Sequence, residues 1–125
     1  ETLFMSSEWP EHTTELTLDP AVDAAQKAMF GAYAAAGTPP DIAAALAWDP
    51  GMLVIGAYRK LGFEAKPEQI RAYLAGVQGW AGINGIYDFV RQPQRGLDVT
   101  DSVVTRWVPE KKAWVIVSKP GGLRL

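Results

Sequence analysis

The chain has 125 residues, 48% apolar and 21% charged, the balance of a folded domain and not of a disordered or fibrous chain. A net charge of −2 and a pI near 5.3, with no run of Lys or Arg, argue against a nucleic-acid partner, because phosphate neutralisation needs clustered cations. Cysteine is absent, which excludes disulfides, zinc–thiolate sites and thiol catalysis, and the longest apolar stretch, at 52–57, is far too short to span a bilayer.

Residues 2–6 read as the end of a strand, and 7–18 as a polar loop holding Trp9, Pro10 and His12. Glu1 opens inside an apolar, β-like run with no initiator Met or signal peptide before it, so we expect a segment of a longer protein. Asp19-Pro20 starts a first helix: Asp caps free amides, and Pro fits the first helical position, where its missing N–H costs nothing. Val22, Ala25, Met29, Phe30 and Tyr33 recur at helical spacing and predict one apolar face. Gly37 ends that helix and Pro39-Pro40 prevents its continuation.

The spacing predicts a second helix from Asp41 to Leu61, stopped by Gly62. It is apolar nearly all round from Ile42 to Tyr58, which predicts central burial. Pro50 lies inside it and removes one backbone hydrogen bond, a cost of about 3 kcal/mol in an ordinary helix interior. Either the helix kinks there or Asp49 caps a new one; a kink is the expectation. A short third helix follows over 67–77, with Ile70, Tyr73, Leu74 and Val77 on one face. Gly76, Gly79, Gly82 and Gly85 punctuate a loop, 85–90 reads as a strand, and 102–108 with 113–118 as a hairpin turning at 109–112. Trp107 and Trp114 should sit near that turn.

Little in the chain suits catalysis. His12 and Glu15 make one isolated pair, short of a zinc set and without partners for acid–base work, so a solvated loop is the expectation. Ser6, Ser7, Ser102 and Ser118 lie in no nucleophile elbow and have no further histidine to serve as base. Gly82-Ile83-Asn84-Gly85 is an incomplete phosphate cradle, because no lysine follows and it leads into a strand. A tight turn is its structural reading. We expect a protein that is not an enzyme and carries no cofactor or metal.

The helix carrying AAALAWD at 43–49, the short helix after it, GINGIYDF at 82–89 and the terminal hairpin occur in a characteristic order. That order resembles the last third of type I periplasmic solute-binding proteins of ABC importers, the group that includes the branched-chain amino-acid binders. The resemblance implies a fragment of a two-lobe α/β fold: a strand end and loop at 1–18, helices of one lobe at 19–79, and hinge-crossing strands with the hairpin at 80–125. It implies capture of a small organic solute such as an amino acid or aromatic acid outside the cytoplasm, in the periplasm, and delivery to an ABC permease. The implied partners are that solute, the permease, and the N-terminal part of the same protein or a second copy. The implied ligand contacts are Glu1 against an ammonium, Trp9 at the cleft mouth, Ala43 making room for solute, and Trp48 shaping the wall. Packing of Trp48 in a core, with Asp49 accommodating the kink, is the competing reading. The alternative class is a small self-associating or partner-binding interaction or sensory module.

Overall fold

The computed structural model describes residues 4–7 and 17–125. Their chain order is β1 (Phe4–Ser7), α1 (Pro20–Ala35), α2 (Ile42–Leu61), α3 (Pro67–Ala75), β2 (Gln78–Ala81), β3 (Ile86–Asp88), β4 (Val103–Val108) and β5 (Ala113–Ile116). The result is a mixed α/β structure with three helices and two small sheets.

Side-chain chemistry sets the helix ends. The Asp19 carboxylate accepts the Ala21 N–H at 2.8 Å and that of Asp41 accepts the Ala44 N–H at 2.8 Å, so each meets a donor left free at a helix start. At the far end of α2 the Gly62 N–H donates to the Tyr58 carbonyl at 2.8 Å, with Gly62 at φ +91°. In α3 the Gln69 side chain reaches back to accept the Lys66 N–H at 2.8 Å.

A single helix runs through Pro50, which rejects the split at Asp49. Pro50 has no N–H to donate to the Leu46 carbonyl, and both residues are exposed. The expected central burial of α2 is corrected. Only Ala45, Asp49, Leu53 and Ala57, each four residues from the next, are buried. Ile42, Leu46, Val54, Ile55 and Leu61 on the same helix are exposed, Leu46 to 68%. The described chain covers one stripe of a helix whose other faces are also apolar.

The first helix departs from expectation in one respect. Val22 and Met29 are buried, Ala25 and Tyr33 partly so, but Phe30 is exposed and the polar Gln26 takes a core position. Met29, Ala45 and Ile83 form the centre of the core, with Ala25, Tyr33 and Trp48 packed around them. The core therefore lies where α1 and α2 meet the 82–85 turn.

The glycine-punctuated stretch read as a loop contains β2, which pairs antiparallel with β3 across that turn, Trp80 opposite Tyr87 and Ala81 opposite Ile86. Gly79, at φ +66°, supplies the irregularity between Gln78 and Trp80 in this register. The second sheet has the order β1-β4-β5 and is also antiparallel throughout. Its hairpin is in the expected register: Trp107 faces Trp114, their rings 5.6 Å apart and edge-on, beside a turn at 109–112. No parallel strand pair occurs among the described residues.

Candidate functional site

Asp49 organises the middle of the molecule. It is fully buried, and four donors converge on its carboxylate. The Ile83 N–H donates to Oδ1 at 2.9 Å; the Asn84 N–H, Asn84 Nδ2 and the Tyr87 hydroxyl donate to Oδ2 at 3.2, 3.0 and 3.0 Å. A buried carboxylate is tolerated when hydrogen bonds replace its lost hydration, and both oxygens of this one accept them. The same turn is held from the other side, because Gln26 Nε2 donates to the Ile83 carbonyl at 2.8 Å. Both backbone polar groups of Ile83 are thus met by side chains, one from α1 and one from α2.

Gly82 makes this approach possible. A Cβ at that position would lie 2.5 Å from Asp49 Oδ2 and 2.6 Å from its Cγ, closer than any real contact allows. The two glycines of GING therefore do not cradle an anion. Gly82 lets the loop close on the Asp49 carboxylate, and Gly85, at φ +144°, makes the same room for the side chain of Asp101. Three of the four donors meet Oδ2 and one meets Oδ1, so the carboxylate serves as the hydrogen-bonded centre of the turn. Among the described residues, no three His, Cys, Asp or Glu side chains lie close enough together to hold a metal ion.

Beside this anchor runs an apolar trough. Leu46, Pro50, Val54 and Tyr58, each four residues from the next, make one wall along α2. Pro67, Ile70 and Leu74 of α3 make the other, and Tyr87, Phe89 and Leu97 line its floor. It comprises two adjoining hollows of about 420 and 680 Å3 that share Leu74, Phe89 and Gln94. Among the described residues, the charged side chains on its walls are Arg71 and Arg95, and no carboxylate lines it.

The four expected ligand contacts are placed as follows. Glu1 and Trp9 lie outside the described residues, as does His12. Ala43 is exposed in the first turn of α2. Trp48 is half-buried, its ring 6.1 Å from that of Tyr33 and packed against the core. Ala43 and Trp48 are five residues apart, about 140° around the helix axis, so they present different sides of α2. The Leu46–Pro50–Val54–Tyr58 wall went unnoticed in the sequence. Its signal was a second apolar stripe on α2 at four-residue spacing, beyond the stripe one small core needs. No family model, curated protein or solved structure matches this chain.

Proposed function

We propose that the chain is part of the solute-binding component of an ABC importer. On this reading a two-lobe receptor captures a small organic solute, an amino acid or aromatic acid, and presents it to the permease outside the cytoplasm. One observation carries the reading. The two motifs on which the resemblance rests, Trp48-Asp49 and the GINGIYDF stretch at 82–89, are 34 residues apart at Asp49 and Ile83, yet they meet through Asp49. Motifs that only looked adjacent in order behave as one structural unit, which supports their having a common origin and not a chance succession.

The physics of the unit suits a receptor lobe. A solute held between lobes at the carboxyl ends of strands is sensed by rigid-body closure, so each lobe must move without deforming. Asp49 and Gln26 pin α1, α2 and the β2–β3 turn together through buried hydrogen bonds, the kind of link that keeps a lobe rigid. The chemistry is recognition alone, without a cofactor. Glu1 would meet a solute ammonium, Trp9 the cleft mouth, and Ala43 and Trp48 the wall near the start of α2.

The gene itself offers the test. An open reading frame continuing upstream of Glu1, through a region rich in βαβ units behind a signal peptide, is the expected result. A start codon immediately before Glu1 would overturn the reading and favour a small interaction module.

A further inference from the structure

We infer that Asn84-Gly85 is a site of spontaneous deamidation: the Asn84 side-chain amide is lost to attack by the chain's own backbone when the turn opens, and the acid left behind undoes the Asp49 anchor. This chemistry is independent of the importer reading. Asn84 is the only asparagine among the 125 residues, and a glycine follows it. Glycine has no Cβ to shield its amide nitrogen, so an Asn-Gly pair closes on itself readily. In the reaction the Gly85 amide gives its proton to water, and its nitrogen bonds to Cγ of Asn84. The Cγ–Nδ2 bond then breaks, ammonia leaves with a proton from solvent, and a succinimide ring remains. Water opens that ring at either carbonyl and leaves aspartate or isoaspartate at this position.

The fold both requires this pair and restrains it. A side chain at position 85 would collide with the Asp101 carboxylate, and φ there is +144°, so glycine is demanded. Asn84 in turn supplies two of the four donors to Asp49, its N–H at 3.2 Å and Nδ2 at 3.0 Å from Oδ2. Ring closure must swing Cγ over the Gly85 nitrogen, which breaks the Nδ2 bond. The Gly82 N–H, donating to the Gly85 carbonyl at 2.9 Å, holds the turn shut against that movement. The reaction therefore runs from the open turn, at a rate set by how often the turn opens. Once it has run, the turn cannot close as before. An oxygen replaces the Nδ2 donor that lay 3.0 Å from Oδ2 of a fully buried carboxylate, so like charges meet where a hydrogen bond stood. Isoaspartate also lengthens the backbone by one carbon between Ile83 and β3.

Peptide mapping by mass spectrometry tests this, with the 125-residue chain incubated at neutral pH either folded or in urea. Conversion at Asn84 is expected in urea, and at least about tenfold more slowly in the folded chain. The consequence is read separately. Asn84→Ala removes the side-chain donor without adding charge, whereas Asn84→Asp adds the charge as well. Asn84→Asp should have the lower urea midpoint, with a folding constant roughly tenfold or more below that of Asn84→Ala. That gap should shrink beside Asp49→Asn, where the opposing charge is gone. Failure of Asn84→Asp to fold where Asn84→Ala folds supports the same conclusion. No conversion in urea, equal rates in the folded and unfolded chain, equal midpoints for the two substitutions, or a gap that Asp49→Asn leaves unchanged would overturn the inference.

Discussion

Replacing Asp49 with alanine removes the acceptor of four donors at once. Two of them, the Ile83 N–H and the Tyr87 hydroxyl, are in buried hydrogen bonds, and the two from Asn84 are partly buried. A buried donor left without a partner costs about 1–3 kcal/mol, while a donor that water can reach costs much less. Two of the first kind and two of the second give a loss of about 3–5 kcal/mol, a large part of the 5–15 kcal/mol that holds a typical domain together. Asp49→Asn keeps the shape and separates charge from geometry. With its oxygen at the Oδ2 position it retains the three donors there but points an NH2 group at the Ile83 N–H, for a cost of roughly 2 kcal/mol. Urea titration followed by circular dichroism reads both values. The reasoning fails if Asp49→Ala costs less than about 1 kcal/mol, or if Asp49→Asn behaves as the native chain.

Four other outcomes are expected. Gly82→Ala should destabilise by about 2–4 kcal/mol in the native background but by much less beside Asp49→Ala, where the obstructing carboxylate is gone; additivity in that urea-denaturation cycle would contradict the close approach. Gln26→Leu leaves the Ile83 carbonyl without its donor and should cost about 1–2 kcal/mol by the same measurement, despite placing a more apolar residue in the core. Trp107→Ala and Trp114→Ala should show a coupling of about 0.5–1.5 kcal/mol in a double-mutant cycle, since their rings meet edge-on across the hairpin. Titration calorimetry of the 125-residue chain with amino acids or aromatic acids should show no micromolar binding, because a site must enclose most of its ligand.

The parts of the fold legible in the sequence are those whose cause is local. Asp19, Pro20, Asp41 and Gly62 act within one turn of where they stand, so the ends of α1 and α2 could be read directly. The hairpin was equally plain, because alternation and Pro109 together demand a turn between two strands. What could not be read depends on partners far along the chain. β2 is four residues long and interrupted at Gly79, so its alternation is too short to stand out; only pairing with β3 makes it a strand. Gln26 looks like a surface residue until Ile83, 57 positions later, offers it a carbonyl. Asp49 seemed a local response to Pro50, and its actual partners begin 34 residues on. Burial of α2 was misjudged because periodicity tells which faces are apolar, and only the rest of the fold decides which are covered.

Titration calorimetry on the polypeptide encoded by the whole reading frame that contains this chain tests the receptor reading most directly. The account predicts one solute bound per polypeptide from a panel of amino acids and aromatic acids, with a negative heat-capacity change as the cleft closes around it. No binding across that panel, with the polypeptide demonstrably folded, would contradict it.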